Sequence, residues 1–123
     1  MHFDIPAIVA RLYERTVTAR ALPGEKDLNY YLTTTDGQEY VLKIAAADVK
    51  IENLVFQNAL MAHLRTRLPD LEFPRVIPSV SGDDIATDAI PGEKERLVRL
   101  LTWVPGRCWA DVRPHDARLL EHL

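Results

Sequence analysis

Lys43 is the residue of this sequence whose type and position most directly suggest ligand chemistry. In the segment 39–45, strand alternation places Lys43 on the same face as Val41 and Ala45. An ammonium group on a face with small apolar neighbours is suited to bind a phosphate group of a ligand. The alternative is a solvated lysine on the exposed side of a two-faced sheet.

The segment that follows Lys43 has the apolar spacing of a long helix and contains two polar residues of interest. Gln57 lies in the middle of an apolar stripe, where a polar group needs a partner. Glu52 lies more than about 100° away around the helix. A core-edge amide bonded to the backbone is the alternative role for Gln57. Apolar residues cover much of the circumference, which predicts burial on more than one side of this helix.

The remaining pattern predicts an antiparallel sheet with helices. The predicted helices span 4–16, 48–68 and a segment that begins at 114, and the second has Asp48 as its N-cap and Pro69 as its terminator. The predicted strands are 28–34, 39–45, 74–80, 85–90 and 96–104, and 17–22 is a further candidate for a short strand. Asp36-Gly37 predicts a hairpin turn. The fold class is therefore α+β, with a sheet of about five strands, one large packed helix and an N-terminal helix.

Composition excludes several classes of protein. A chain of 123 residues is one compact unit, and its single cysteine, Cys108, excludes an internal disulfide, which suits the cytoplasm. Fifteen basic and eighteen acidic residues alternate along the chain, which argues against a nucleic-acid partner. No apolar run approaches the roughly 20 residues that span a membrane. The helical pattern at 119–123 has no terminator, which suggests a truncated chain.

The order of these elements resembles the small lobe of the protein-kinase-like fold. The likeness is closest to the aminoglycoside phosphotransferase and choline kinase-like small-molecule kinases, in the branch of hydroxylysine and homoserine kinase-like proteins. The resemblance implies that Lys43, on the third strand, pairs with nucleotide phosphates. It also implies a glutamate from the long helix that orients the lysine. By register Gln57 takes that position, and Glu52 is the competing partner.

A turn-rich segment before the second strand resembles the family's nucleotide-covering loop. It has one glycine only, in contrast to the protein-kinase pattern G-x-G-x-x-G, and the alternative is a plain surface turn. The nucleotide-binding residues implied in this loop and on the strand of Lys43 are Gly24, Glu25, Lys26, Asp27, Asn29 and Val41.

The segment 100–106 resembles the linker between the two lobes of these kinases. The resemblance implies that the Thr102 carbonyl and the Val104 amide bind the adenine ring, with Leu101 bordering the pocket and Trp103 pointing out or flanking it. An ordinary buried strand is the alternative. On this basis residues 1–100 form the kinase-like lobe, and 101–123 form the linker and the start of a truncated second lobe.

The resemblance implies ATP-dependent phosphorylation of a hydroxyl group on a small molecule, with Mg²⁺ bridging the phosphates. The catalytic and magnesium-binding residues belong to the missing C-terminal lobe, so this fragment is expected to be inactive alone. The acceptor stays open. Similar lobes also begin longer proteins with class III aminotransferase modules, so a second activity of the parent chain stays open too. The competing prediction is a non-catalytic α+β module that binds or regulates another protein.

Two pairs of adjacent residues that contain aspartate are assigned no catalytic or metal-binding role. His115-Asp116 is typical of a helix cap, and Asp83-Asp84 of a solvated turn. The four histidines show no metal-ligand spacing, and Cys108 has no CxxC partner. The sequence therefore predicts no metal site of its own.

Overall fold

The computed structural model describes residues 4–23, 27–46, 48–88 and 95–104. The elements in chain order are α1 (Ile5–Tyr13), β1 (Val17–Leu22), β2 (Leu28–Thr34), β3 (Glu39–Ile44), α2 (Ile51–Arg67), β4 (Val76–Ile77), β5 (Ala86–Asp88) and β6 (Arg96–Thr102). The predicted α+β class is confirmed. The helix predicted from residue 114 lies outside the described residues.

The described strands form one antiparallel sheet in the order β1-β2-β3-β6-β4, and β5 also pairs with β6. Strand β6 pairs with β3 along one edge, while β4 and β5 share its other edge. Six strands therefore take part, against about five predicted. The segment predicted as a strand over 74–80 pairs only at Val76–Ile77.

The predicted hairpin joins β2 to β3. Thr34 N–H donates to the Gln38 carbonyl at 3.0 Å, and Gly37 has a φ of 88°. This left-handed conformation favours glycine, because a Cβ would introduce strain. The hairpin fixes the register of β3 against β2, and hence the face on which each β3 side chain lies.

Helix α1 covers one face of the sheet and forms the main core with it. The Asp4 side chain accepts a hydrogen bond from Ala7 N–H at 3.2 Å and caps the helix, as predicted. The helix ends at Tyr13, earlier than predicted, because Glu14 adopts a left-handed conformation. The core comprises Ile5, Ile8, Val9, Tyr13, Val17, Leu32, Tyr40, Leu42, Ile44, Ala86, Val98 and Leu100.

Polar contacts attach α1 to Val80 and Asp88, which lie far along the chain from it. The Arg11 guanidinium forms an ion pair with Asp88 on β5, whose side chain is almost fully buried. Val80 N–H donates to the Leu12 carbonyl at 2.9 Å. The first helix is therefore held by residues that lie well beyond β3 in the sequence.

Tyr13 makes the stability of this core sensitive to alkaline pH. Its hydroxyl is buried near the Leu100 backbone without a hydrogen bond of normal geometry among the described residues. Burial raises the pKa of Tyr13 to about 12, and the Leu100 backbone and Arg99 offset only part of this effect.

We expect the free energy of unfolding to fall between pH 10 and 12, by up to about 1.4 kcal/mol per pH unit from this group. In this range the folded state keeps the phenol proton and the unfolded state loses it. Urea unfolding at pH 9 and pH 11 measures the slope. Tyr13→Phe should remove this part of the pH dependence without loss of stability at pH 7. An unchanged slope in that variant would contradict the assignment.

Helix α2 differs from its prediction at its start. It begins at Ile51, and Lys50 is the N-cap residue without a side-chain cap, so the assignment of Asp48 as N-cap is wrong. Its end at Arg67, with Pro69 soon after, agrees with the prediction. Its side chains below a tenth exposed are Leu54 and Leu64. Burial on more than one side is not observed, because Ile51, Val55 and Phe56 are exposed.

Candidate functional site

Lys43 lies on the sheet face opposite to the α1 core. In the register of the sheet, Asn29 of β2 pairs with Lys43 of β3, and Lys43 pairs with Arg99 of β6. Cross-strand partners point to the same face, so these three side chains form one transverse row, called here the Lys43 row. Leu42 belongs to the core on the opposite face. The predicted alternation along β3 is therefore confirmed.

Asn29 orients the ammonium group of Lys43. Lys43 Nζ donates to Asn29 Oδ1 at 2.7 Å, and Asn29 is only 5% exposed. The other end of this amide, Nδ2, donates to the Asp27 carbonyl at 3.4 Å, close to the limit for a hydrogen bond. Lys43 itself is half-buried. A buried acceptor therefore limits the directions that the lysine can take.

Asp27 ties the end of the predicted nucleotide-covering loop to the end of β3. Its Oδ1 accepts a hydrogen bond from Ala46 N–H at 3.1 Å. The structure thus places Asp27 and Asn29 next to the strand of Lys43, and their role in a nucleotide-covering loop stays a prediction. The other predicted loop residues, Gly24, Glu25 and Lys26, lie outside the described residues.

Helix α2 lies on the same face as Lys43, and its contact with the row runs through Arg99. Arg99 Nη2 donates to Gln57 Oε1 at 3.0 Å, and Nη1 donates to Asn58 Oδ1 at 2.9 Å. Gln57 is exposed, although the sequence places it in the middle of an apolar stripe, and the partner seen for its side chain is Arg99.

The orientation of Lys43 by Gln57 or by Glu52 stays a prediction. The hydrogen bond seen for the Gln57 oxygen comes from Arg99, and Glu52 is an exposed residue of the first turn of α2. An amide oxygen has two lone pairs, so the Arg99 contact occupies only part of its capacity.

Arg99 is the functional-site residue that the sequence reasoning missed. It is 3% exposed, and it stands between Val98 and Leu100, which are fully buried. Burial lowers the pKa of Arg99, while the charge of Asp27 and the Tyr13 phenol act in the opposite direction. A charged residue within the otherwise apolar run 97–101 was the available signal, because such a residue is rarely buried without partners.

Beside the Lys43 row lies a second transverse row that contains the predicted Val41 and Leu101. The register pairs Tyr31 with Val41 and Val41 with Leu101, and both aliphatic side chains are fully buried. The Trp103 ring packs edge-on against Tyr31, with centroids 4.9 Å apart. Trp103 thus flanks the second row, and its position relative to an adenine pocket stays a prediction.

The predicted adenine-binding backbone runs along the end of β6. Thr102 N–H donates to the Arg75 carbonyl at 2.9 Å, and Thr102 Oγ1 accepts from Arg75 N–H at 2.9 Å. Val104 is buried. Thr102 is therefore fixed by the segment before β4. The role of its carbonyl and of the Val104 amide in binding adenine stays a prediction.

The donor chemistry of this face suits an anion. The Lys43 row presents an ammonium and a guanidinium beside neutral amides. In residues 4–23, 27–46, 48–88 and 95–104, no group of three or more His, Cys, Asp or Glu side chains could hold a metal ion. Nor does that part of the chain contain a helix long and apolar enough to cross a membrane.

Comparison with known proteins agrees with this geometry. Residues 18–123 match the model of the Phosphotransferase enzyme family (APH). The chain belongs to this phosphotransferase family. Over 117 residues it is 30% identical to a hydroxylysine kinase of Danio rerio. The aligned region covers 90% of this chain and 32% of that kinase. The resemblance inferred from the sequence is confirmed at the level of the family.

Two solved structures share the fold of this phosphotransferase chain. One is a microcompartment-associated aminopropanol kinase, with a TM-score of 0.71, 20% identity, and coverage of 91% of this chain and 33% of that one. The other is the amicoumacin kinase hAmiN in complex with AMP-PNP, Ca²⁺ and Ami, with a TM-score of 0.67, 20% identity, and coverage of 93% and 34%. The chain spans about one third of the length of these relatives.

Proposed function

We propose that this chain is the nucleotide-binding first lobe of an ATP-dependent kinase that phosphorylates a hydroxyl group of a small molecule. The observation that carries the proposal is the Lys43 ammonium, oriented by buried Asn29 on the face that α2 also contacts. Membership of a phosphotransferase family supports the reaction class.

Within this function Lys43 binds the phosphate oxygens of ATP. A lysine ammonium is a compact point charge with three donors. One donor is engaged by Asn29 at 2.7 Å, and this contact holds the group toward the nucleotide side of the sheet. The bound nucleotide supplies the phosphoryl group. Phosphoryl transfer depends mainly on positioning and charge stabilisation, and Lys43 contributes to both.

The remaining components belong to the rest of the kinase. Residues 101–123 are the linker and the start of the second lobe, which supplies the catalytic groups and the carboxylates that hold Mg²⁺. The cationic and amide groups of the Lys43 row fit phosphate and do not fit a divalent cation. Accordingly, this chain alone should bind nucleotide incompletely and should not turn over. A class III aminotransferase module in the parent protein stays a prediction.

The acceptor proposed is the hydroxyl of an amino alcohol. This rests on the relative at 30% identity, a hydroxylysine kinase, and on the aminopropanol kinase that shares the fold. Hydroxylysine and aminopropanol each carry an amine and a hydroxyl. A panel of amino alcohols, with the matching amines that lack a hydroxyl as controls, tests this acceptor class.

A non-catalytic docking module is the second candidate function. The observation that favours it is the exposed apolar side of α2, where Phe56 is 64% exposed and Ile51 and Val55 are also exposed. Large exposed apolar groups that lie together mark interaction surfaces in many proteins. This candidate predicts no affinity for nucleotides.

Calorimetry with magnesium-ATP on the complete protein separates the two functions. We expect saturable binding of ATP and at least tenfold weaker binding of adenosine, because Lys43 binds phosphate rather than the base. An exposed-site control, Arg67→Met on the last turn of α2, should bind ATP like the parent. Absence of binding heat for ATP, with normal folding, would favour the docking module.

A further inference from the structure

Arg99 is a buried cation whose hydrogen bonds go to one helix. Its guanidinium contacts two consecutive side chains of α2, Gln57 and Asn58, at 3.0 and 2.9 Å. The guanidinium is planar with its donors in a fixed fork, so two adjacent acceptors hold it in one orientation. The two bonds are called here the Arg99–α2 contact.

Among the described residues, the hydrogen bonds seen between the first half of α2 and the sheet are those of Arg99. None of its residues belongs to the core formed with α1. Among the described side chains of the whole helix, the buried ones are Leu54 in the first half and Leu64 in the second. Arg65 donates to the Pro74 carbonyl near the C-terminal end of α2. The Arg99–α2 contact therefore supplies the hydrogen bonds seen between the first half of α2 and the sheet.

The charge of Arg99 makes this contact costly to break. Its acceptors are neutral amides, and the ion pair found in the described part of the chain, Arg11–Asp88, lies elsewhere. The titratable groups near Arg99 are its cross-strand neighbour Lys43, the Asp27 carboxylate, and the Tyr13 phenol in the core on the other face of the sheet. A buried guanidinium that lost its acceptors would pay the full cost of desolvation.

We propose that Arg99 is a positioning residue that holds α2 against the Lys43 face through Gln57 and Asn58, while Asn29 separately orients Lys43. Helix α2 is then held by Arg99, and Lys43 is oriented by Asn29. The effect of this arrangement on nucleotide binding rests on the proposed function, but the Arg99–α2 contact itself can be measured without nucleotide.

The contact is tested first by stability and hydrogen exchange in the complete protein. Arg99→Met should lower Tm by about 4 °C or more, and should speed exchange of the α2 amides about tenfold. Gln57→Ala and Asn58→Ala should each give part of this loss. Arg67→Met removes an exposed arginine of α2 and should leave both measurements unchanged.

A double-mutant cycle identifies the partner of Gln57. The Tm losses of Arg99→Met and Gln57→Ala should be clearly less than additive, because each removes the same hydrogen bond. Those of Lys43→Met and Gln57→Ala should add. Additive losses with Arg99, or coupling with Lys43 instead, would overturn the proposal. If Arg99→Met does not fold, exchange of α2 in the Gln57→Ala and Asn58→Ala variants decides, and unchanged exchange there rejects the contact.

A kinetic comparison separates positioning from simple stability. In the complete kinase, Gln57→Ala and Asn58→Ala should raise KM for ATP about three- to tenfold with little change in kcat, since α2 borders the Lys43 face and the reacting groups lie elsewhere. Arg99→Lys keeps the charge but not the fork, and should show the same rise. Unchanged KM in variants with faster α2 exchange would reduce Arg99 to a structural residue. If the parent protein binds no ATP, the proposed function fails and the exchange results still stand.

Discussion

Lys43→Met should lower kcat/KM of the complete kinase by about 10²- to 10³-fold. The substitution removes the ammonium but keeps a flexible chain of similar length. The Lys43 row would lose its group that is both half-buried and oriented by Asn29. A preoriented ammonium beside the transferred phosphoryl group stabilises the transition state more than a solvated ammonium does, because it needs no reorganisation during the reaction.

Steady-state kinetics with ATP and an amino alcohol measure this loss. Lys50→Met is the matched control, since Lys50 is an exposed lysine at the N-cap position of α2. It should retain activity. The Lys43 variant should keep its circular dichroism spectrum and a Tm within a few degrees of the parent. Full activity in a folded Lys43→Met protein would refute the phosphate-binding role.

Leu42→Ala should destabilise the protein by about 2–5 kcal/mol. Leu42 is 0% exposed and lies in the core between the sheet and α1. Truncation removes three carbon atoms from close-packed surroundings, so the loss combines the transfer free energy with the cost of a cavity. For a domain of this size such a change is a large fraction of the total stability.

Urea unfolding followed by circular dichroism measures the destabilisation. Leu71→Ala is the control, because Leu71 is 54% exposed and its truncation should change stability by less than about 0.5 kcal/mol. If Leu42→Ala were as stable as the parent, the assignment of this face as the core would be wrong.

These two variants affect neighbouring residues with opposite results. Residues 42 and 43 follow each other on β3, yet one side chain joins the α1 core and the other joins the Lys43 row. Because adjacent side chains of a strand point to opposite faces, Leu42 contributes to folding and Lys43 to ligand binding, although they are neighbours in the chain. Loss of activity with retained stability at one position, and the reverse at the next, is the expected signature.

Local sequence patterns were sufficient for much of this fold. The Asp36-Gly37 turn predicted the β2–β3 hairpin, and alternation along β3 placed Lys43 on the correct face. Both depend on interactions between residues close in sequence. The start of α2 was predicted too early, because Asp48 has the side chain of a good cap, but Val49 N–H donates to the Ala46 carbonyl and the helix begins only at Ile51.

The partners of the site residues could not be predicted from local patterns. Arg99 lies opposite Lys43 because β6 pairs with β3 in one particular register, and the whole of α2 separates these strands in the chain. Helical periodicity alone could not locate Gln57 relative to that strand. The sequence therefore could not identify Arg99 as the partner of Gln57 and Asn58, although a charged residue in the apolar run 97–101 is unusual.

The ion pair between Arg11 and Asp88 has a consequence for biosynthesis. The two residues are 77 positions apart, so at about 5–20 residues per second α1 is made roughly 4–15 seconds before its partner strand exists. During that interval Ile5, Ile8 and Val9 lack the part of the core that Ala86, Val98 and Leu100 later supply. Apolar surface that stays exposed on the nascent chain until the last strands are made is prone to aggregation, and chaperones that cover such surface would be useful at this stage.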